Sequence, residues 1–364
     1  MKQRKINFSA GPSKLPLPVL QSINESLLTY KDSGVGICEL GHRTKYFQEI
    51  VDETKALIRE LIELPAHYEI LFMTGGASQQ FSAVPLNILG RSQASEQAGY
   101  LISGHWAKAA YTEARKFSNV VEVGTSEESG FCKIPAVNSE LKNLKYVHYT
   151  SNNTIFGTQF PSEPETGNIP LVCDASSDIL SRKIDISKYS LIYAGAQKNL
   201  GTPGVTIVIL DPSINLEKSD SIPKMIDYQT YIASGSLYNT PPVLPIYATL
   251  ESLRWIKSIG GLSAIEKRNE VKAKKLYDFI DQSQLFHPFV SAVEGSSRSK
   301  MNVVFSIEDK NFEEDLLTRL KNEGILGLAG HRSVGGFRAS LYNAIEESEV
   351  DKLIAVLQDF EGSK

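Results

Sequence analysis

A single lysine, Lys198, stands in a polar segment between two apolar runs. The segment reads YAGAQKNLGTPG over residues 193–204, with SLIYAGA leading into it and GVTIVIL after it. Lysines are mostly solvated among other charges, whereas Gly, Ala, Gln, Asn and Thr surround this one. An amine at the end of a buried strand can act as a nucleophile or carry a proton. On the residues alone, a structural lysine remains the alternative.

A carboxylate, Asp174, ends another apolar run, PLVCDAS (170–176). Asp often serves as a helix cap or turn residue, and taken alone that interpretation is favoured. The alternative is a carboxylate buried to hold a positive charge, because an unpaired buried carboxylate is costly. Asp174 is therefore also a candidate partner for a cation.

A glycine pair lies in MTGGASQQF (73–81), between a strand-like run and a helical pattern. Gly75 and Gly76 permit close backbone approach, while Ala77 and Ser78 open the helix with free N–H groups and a hydroxyl. This combination favours a phosphate at a helix N-terminus, although a plain tight turn is about equally consistent with two glycines. The chain has neither the P-loop nor the dinucleotide fingerprint.

Two more side chains follow strand-like runs. Trp106, in SGHWAKAA, could stack on a flat ring, although a core tryptophan is commoner, and Thr154, in SNNTIFGTQF, is by itself a loop threonine. Pyridoxal 5′-phosphate needs an amine for a Schiff base, an anion beside its pyridine nitrogen and a cup for its phosphate. The set therefore predicts this cofactor, held by Lys198, which then carries the proton once the substrate amine displaces it.

Three arginines lie beside glycines rather than on charged helical faces. Arg43 lies in GHRT, Arg332 in GHRS and Arg338 in GGFR, with His42 and His331 beside the first two. The guanidinium group of arginine forms two parallel hydrogen bonds to a carboxylate or phosphate, so these residues favour an anionic substrate. Cations on surface loops are the alternative.

The elements that must position these side chains alternate between strands and helices. Strand-length apolar runs occupy residues 68–73, 99–104, 119–124, 146–151, 170–176 and 191–196. Such runs with helical crossovers indicate an α/β protein with a parallel sheet, whose ligands bind at the carboxyl ends of the strands. After a boundary near Gly260–Gly261 the succession of strand-like and helical segments changes, and the new pattern predicts a smaller α+β domain.

Composition narrows the class of protein. The chain has 364 residues, of which 41% are hydrophobic and 22% charged, and its net charge of −4 gives no basic field for nucleic acid or anionic membranes. Three scattered cysteines without CxxC spacing fit a reducing cytoplasm and no structural metal. The start lacks a signal-peptide core, and no apolar run approaches the roughly 20 residues of a membrane helix. We expect a cytoplasmic protein without nucleic-acid or membrane partners.

Nine long motifs follow one another along the chain in the order that a known family shows. They are FSAGPSKLP, GHRTKYFQEI, FMTGGASQQFSAVPLNIL, SGHWAKAA, SNNTIFGTQF, CDASSDILSR, YAGAQKNLGTPG, NTPPVLPIYATLESLRWIK and GHRSVGGFRASLYNA. From end to end the chain resembles the phosphoserine aminotransferases, class-V enzymes of the pyridoxal-phosphate fold type I. The resemblance implies a large domain, 16–261, with a mainly parallel seven-stranded sheet. It also implies a small α+β domain formed by 1–15 and 262–364.

The same resemblance implies roles around the cofactor. Lys198 carries it, Asp174 faces the pyridinium, Trp106 stacks on the ring and Thr154 hydrogen-bonds the hydroxyl edge. Three further residues help to hold the phosphate: Ala77, Ser78 and Gln197. Some members carry an arginine in the turn, whereas GGAS has none, so backbone N–H groups and hydroxyls would bind the phosphate here.

The family's enzymes are homodimers with sites at the interface. Asn239 and Thr240, in YNTPP, match residues that reach the cofactor phosphate of the neighbouring subunit. Arg338 would take the α-carboxylate, with Ser9 touching that end. The distal anion would bind Arg43 with its neighbour His42, and it would also bind the C-terminal pair His331 and Arg332. Arg43 and the C-terminal pair can belong to different subunits.

The implied reaction is a ping-pong transamination between O-phospho-L-serine or 3-phosphohydroxypyruvate and glutamate or 2-oxoglutarate, in L-serine biosynthesis. Some relatives also use 4-phosphohydroxy-L-threonine in pyridoxine biosynthesis. Alternatives are another fold-type-I enzyme, such as alanine–glyoxylate aminotransferase or a cysteine desulfurase, and a non-enzymatic phosphometabolite-binding protein. Among the cysteines, only Cys132 is a loop candidate for desulfurase chemistry.

Overall fold

The computed structural model describes residues 4–90, 96–137, 141, 143–217 and 220–364, and the first three residues of the predicted small domain lie outside it. The helices in this part are α1 Leu17–Ser26, α2 Lys45–Leu61, α3 Gly76–Ile88, α4 His105–Ala114, α5 Tyr228–Ala233, α6 Val243–Ser258, α7 Gly261–Gln282, α8 Glu313–Asn322 and α9 Glu347–Glu361. The strands are β1 Ile6–Asn7, β2 Glu69–Met73, β3 Gln97–Ile102, β4 Val120–Thr125, β5 Leu144–Thr150, β6 Leu171–Asp174, β7 Tyr189–Gly195, β8 Thr206–Leu210, β9 Phe286–Pro288, β10 Asn302–Ile307, β11 Ile325–Leu326 and β12 Phe337–Ser340.

Seven strands form the central sheet in the order β2-β8-β7-β6-β5-β3-β4. Strand β8 is antiparallel to both of its neighbours, and the other pairs in the sheet are parallel. The mainly parallel α/β sheet predicted from the sequence is confirmed, and each of the apolar runs named above overlaps one of its strands. Since β7 and β8 are antiparallel neighbours, the segment that carries Lys198 connects them directly, without a crossover helix.

The apolar runs form strands because their side chains are buried on both faces of the sheet. In β3, Tyr100 and Ile102 pack into a core with α3 and α4, whereas Leu101 between them packs into the opposite core with α2 and α6. A strand buried on both faces must be apolar at successive positions, which explains the continuous runs. Each fully buried side chain of this size contributes about 1.5–3 kcal/mol to folding.

A separate hydrophobic core lies around the three-stranded sheet β12-β10-β9. It contains the buried face predicted for the final helix, with Val350, Leu353 and Leu357 buried and Ile354 partly buried. Phe8 from the N-terminal segment belongs to this core, and β1 pairs in parallel with β11. The first residues of the chain are therefore packed with its C-terminal part.

The sheet register brings the candidate residues together. Thr150 at the end of β5 is paired with Asp174 at the end of β6, and Asp174 is paired with Tyr193 in β7. The segments that follow these strands carry Thr154 and Lys198, so the site is assembled at one edge of the sheet. No helix of the described residues is long and apolar enough to cross a bilayer.

Candidate active site

The carboxyl ends of the strands border a cavity of about 510 Å³. Most of the sequence-predicted site residues line it: Ala77, Ser78, Trp106, Thr154, Asp174, Gln197, Lys198, His331 and Arg338. The sequence did not indicate other lining residues, among them Ala10, Gly11, Pro12, Thr150, Asn152, Ser176 and Ser177. For those that lie in the motifs FSAGPSKLP and CDASSD, the only indication in the sequence was that they belong to these motifs.

Lys198 projects into this cavity from the β7–β8 connection. Its Nζ donates a hydrogen bond to Thr154 Oγ1 at 3.0 Å. Burial lowers the pKa of Lys198 to about 8, and Arg338 lowers it too, whereas the carboxylates of Asp174 and Asp178 act in the opposite direction. Burial favours the uncharged amine, which is the nucleophilic form.

The depressed pKa predicts the pH at which the cofactor-free enzyme becomes reactive at Lys198. An exposed lysine has a pKa near 10.5, whereas the value here is about 8, so the reactive amine forms at lower pH. We expect trinitrobenzenesulfonate to modify this residue with a rate that reaches half of its maximum near pH 8. The difference in rate between wild type and Lys198→Ala isolates the residue, and a midpoint near that of a free lysine would contradict the effect of burial.

The N-terminal segment holds the lysine loop from the other side. Ser13 N donates to Gln197 O at 3.0 Å, and Ser13 Oγ donates to Lys198 O. Gly11 lies so close that a Cβ there would be 3.6 Å from Lys198 Cγ, and its φ of +145° is one that few side chains adopt. The segment thus forms one wall of the cavity.

Asp174 is the last residue of β6 and is 4% exposed. Burial raises the pKa of its carboxyl, whereas hydrogen bonding from Ser176 and the charge of Lys198 lower it. Ser176 N donates to Asp174 Oδ1 at 3.0 Å and so fixes one oxygen. The arrangement presents an oriented carboxylate to a cation in the cavity.

A second buried carboxylate, Asp178, lies behind this strand end and does not line the cavity. It accepts hydrogen bonds from Ser151 Oγ and from Gln159 Nε2, the latter at 3.0 Å, and Arg182 Nη2 is 4.0 Å from it. In the sequence, Asp178 could have been noticed as the second aspartate of DASSD, four residues after Asp174. Its donors compensate for burial, so we interpret it as structural support.

The glycine pair opens α3 towards the cavity. Gly75, at the N-cap, has a φ of 85°, and no side chain caps the helix. A Cβ on Gly75 would lie 2.6 Å from Gln79 Cβ, so the close turn requires glycine there. The first N–H groups of a helix have no intrahelical partner, and with the Ser78 hydroxyl they can bind a phosphate.

The residues present fit pyridoxal 5′-phosphate. One cavity contains an amine, a buried carboxylate, an indole and an anion-binding helix terminus. Two polar atoms of its lining side chains, Thr150 Oγ1 and Arg338 Nε, are buried without a hydrogen-bond partner in the protein. Buried polar atoms normally have partners, which supports a polar ligand here.

An arginine and a histidine of the C-terminal part also line the cavity. Arg338 Nη1 donates to Thr154 O at 3.2 Å, and burial lowers the pKa of the guanidinium. Burial, followed by the charges of Arg338, His105 and Arg332, lowers the pKa of His331, which favours its uncharged ring. The ring of His105, which the sequence did not single out, lies 6.4 Å from that of His331.

The remaining predicted residues lie outside the cavity of the single chain. They are Ser9, His42, Arg43, Asn239, Thr240 and Arg332. Arg43, Thr240 and Arg332 are exposed, and Asn239 Nδ2 donates to Thr240 O at 3.2 Å. Ser9 and Arg332 are next in sequence to the lining residues Ala10 and His331.

Comparison with known proteins identifies the family of the chain. The family model for class-V aminotransferases matches residues 6–353. A phosphoserine aminotransferase of Bacillus cereus is 46% identical over 361 residues, which cover 99% of each chain.

Two solved structures match this chain over nearly its whole length. The phosphoserine aminotransferase of Bacillus circulans subsp. alkalophilus superposes with a TM-score of 0.94 at 40% identity, over 99% of each chain. The pyridoxal-phosphate-bound enzyme of Trichomonas vaginalis has a TM-score of 0.90 at 33% identity, over 98% of this chain and all of that one. The chain therefore belongs to the phosphoserine aminotransferases of the class-V aminotransferase family.

Proposed function

We propose that this protein transfers an amino group between O-phospho-L-serine and 2-oxoglutarate, yielding 3-phosphohydroxypyruvate and glutamate, with pyridoxal 5′-phosphate as its cofactor. The observation that carries the proposal is the meeting of Lys198, Asp174 and Arg338 in one cavity. These residues supply an amine, an anion and a carboxylate-binding cation.

The cofactor, when bound, supplies an aldehyde that links to amines and a pyridinium ring that withdraws electrons from the substrate α-carbon. Lys198 Nζ would hold the cofactor covalently in the resting enzyme. Once free, the same amine would take the proton from the α-carbon of the substrate, a role suited to its lowered pKa of about 8. Asp174 would keep a proton on the ring nitrogen, because a nearby negative charge favours the charged form of a base.

The other lining residues orient the cofactor. Trp106 would stack on the ring, Thr154 would bind its hydroxyl edge, and the first N–H groups of α3 with Ser78 would hold the phosphate. Gln197 lies next to Lys198 and contributes to the same end. This set contains no arginine at the turn, so helix N–H groups and hydroxyls carry the phosphate binding.

The cations define the substrate class. Arg338 binds the α-carboxylate, with Ser9 near that end, and His331 and Arg332 bind the distal anion with His42 and Arg43. A phosphate and the side-chain carboxylate of glutamate can share one pocket of several cations. One site can therefore serve both substrates in alternate half-reactions.

Replacement of Arg332 tests the distal pocket. A charge-assisted hydrogen bond contributes about 1.5–3 kcal/mol, so we expect Arg332→Ala to lower kcat/KM for O-phospho-L-serine by about 10- to 100-fold. Cofactor affinity should change little. The control is Arg319→Ala, since Arg319 pairs with Asp359 on another surface. Loss of cofactor with normal kinetics of the remaining holoenzyme would show that Arg332 has a different role.

We also propose a homodimer in which Asn239 and Thr240 reach the neighbouring site and Arg43 comes from the other subunit. Its support is the exposure of Arg43 and Thr240 in the single chain, together with exposed apolar side chains such as Leu28, at 87%. A monomer mass in sedimentation velocity at assay concentration would contradict this arrangement.

The division into domains 16–261 and 1–15 with 262–364 stays a proposal. It is supported by the separate core that Phe8 shares with the C-terminal residues. Independent protection of the two parts in hydrogen exchange would test it. The cytoplasmic location likewise stays a prediction, to be checked by cell fractionation.

The decisive experiment measures turnover with several amino donors. We expect a yellow holoenzyme, covalent fixation of the cofactor to Lys198 by borohydride, and rapid coupled turnover of O-phospho-L-serine with 2-oxoglutarate. Alanine with glyoxylate and cysteine are run beside it, because they represent the two alternative enzymes. None of Cys38, Cys132 and Cys173 lines the cavity, which counts against the desulfurase. Preference for alanine would overturn the proposed substrate. Parallel use of 4-phosphohydroxy-L-threonine would add the pyridoxine pathway.

A further inference from the structure

Five buried asparagines lie where the loops of the central sheet meet the C-terminal strands. Each is at most 8% exposed: Asn152, Asn199, Asn269, Asn302 and Asn343. A buried amide is costly unless its donors and acceptor are paired. The proposed reaction uses none of them directly.

Asn199 directly follows Lys198 and connects three segments. Its Nδ2 donates to Ser177 O at 3.4 Å and to Ile179 O at 3.2 Å, in the segment after Asp174. Its Oδ1 accepts from the backbone N–H of Asn343 at 3.0 Å. One side chain thus joins both catalytic loops to the C-terminal part.

Asn343 makes the reciprocal connection from the segment after β12. Its Nδ2 donates to Leu180 O at 2.9 Å, and its Oδ1 accepts from Asn269 Nδ2 at 2.9 Å. Asn269 Nδ2 is also 3.1 Å from Ser181 O. The loop after Asp174 is therefore fixed to both α7 and the end of the chain that follows Arg338.

Strand β12, which carries Arg338, is fixed at a second point. Asn152 Nδ2 donates to Asn302 Oδ1 at 2.8 Å, and Asn302 Nδ2 donates to Ser340 Oγ at 3.0 Å. Arg338 lies two residues before Ser340 in the same strand. Its position relative to Lys198 is thus set by amide hydrogen bonds rather than by apolar packing alone.

We infer that Asn199 and Asn343 are positioning residues that hold Arg338 at a fixed distance from Lys198. The inference rests on the proposed function, because it concerns α-amino acids. The α-carboxylate and the amine of such a substrate are attached to one carbon, so the two protein groups must be correctly spaced at the same time. A displacement of about 1 Å can cost on the order of 100-fold in rate.

Asn343→Ala removes two of these hydrogen bonds and leaves Arg338 and Lys198 in the chain. We expect the KM values for glutamate and for O-phospho-L-serine to rise by the same factor, about tenfold, since each lost hydrogen bond contributes modestly. The equal factor is expected because both substrates share only the α-amino acid group at this end. Asn199→Ala should act similarly, and the double variant should be less than additive.

A binding measurement complements the kinetics. α-Methylglutamate, which carries an amine and an α-carboxylate on one carbon but has no α-proton to lose, is titrated into each holoenzyme by calorimetry. Its dissociation constant should rise about tenfold with the KM values. The glutamate half-reaction is also followed alone. If the wild-type enzyme reacts with glutamate but not with O-phospho-L-serine, the proposed substrate is refuted. The glutamate data for the asparagine variants would still test the positioning inference.

The control is Asn87→Ala, because Asn87 is equally buried and its side chain makes three hydrogen bonds within the large domain. It should lower Tm comparably and leave KM and α-methylglutamate binding within about twofold. Should Asn343→Ala not fold, Asn343→Asp, of the same shape, keeps the acceptor for Asn269 and carries the same prediction. Unchanged α-methylglutamate binding in a folded Asn343 variant, or an equal loss in the Asn87 control, would overturn the inference.

Discussion

Replacement of Lys198 by alanine is expected to lower the rate of transamination by about 10²- to 10⁴-fold, the contribution typical of a positioned acid–base group. The amine is also the expected covalent anchor, so the loss should lie at the upper end of this range. Thr154 Oγ1 and the cavity wall remain in place, and the protein should still bind the cofactor noncovalently. Single-turnover absorbance changes with glutamate measure the rate.

A matched control separates this effect from loss of a buried ammonium. Lys55 is half-buried, and burial lowers its pKa as well, but it does not line the cavity. Lys55→Ala should keep near wild-type turnover, and borohydride should still fix the cofactor to Lys198. If the Lys198→Ala enzyme kept more than a tenth of wild-type activity, another group would have to move the proton.

The second large effect is expected for Asp174→Asn, which keeps the shape and removes the charge. A unit charge pair at about 4 Å is worth roughly 4 kcal/mol at an effective dielectric constant of 20. Loss of that interaction at the ring nitrogen corresponds to about a 10³-fold lower rate of α-proton removal. The rate with deuterated glutamate and the absorption spectrum of the holoenzyme report it.

Asp178→Asn provides the comparison, since this carboxylate is as buried as Asp174 but does not line the cavity. It should cost stability through the lost contacts with Ser151 and Gln159, and lower the rate by less than about tenfold. Equal losses in the two variants would mean that Asp174 acts through the general field of the site rather than at the ring.

Much of the site can be predicted because its chemistry is local in the sequence. Lys198, Asp174 and the turn at Gly75 each follow an apolar run, and parallel strands bring such ends together. The lack of charged neighbours around Lys198 already made it a candidate nucleophile. The pattern also predicted the strands, since two-sided burial demands continuous apolar residues.

Other features depend on contacts that no local pattern encodes. The direction of β8 follows from its pairing with β2 as well as β7, and its apolar sequence would suit either orientation. Ala10–Pro12 reaches the cavity through a contact between Ser13 and Lys198, which are 185 positions apart. Arg43 and Thr240 stay at the surface of one chain, so their roles need a second chain.

The pairing of β1 with β11, from Ile6 to Ile325, affects how the enzyme is made. Strand β1 is synthesised long before its partner β11 and pairs with it only after Ile325 and Leu326 have been made. Until then the segment that leads into Ala10–Pro12, which lines the cavity, lacks this support. A prematurely terminated polypeptide would thus carry Lys198 in an unfinished site, and translation has to reach the C-terminal strands before a competent enzyme exists.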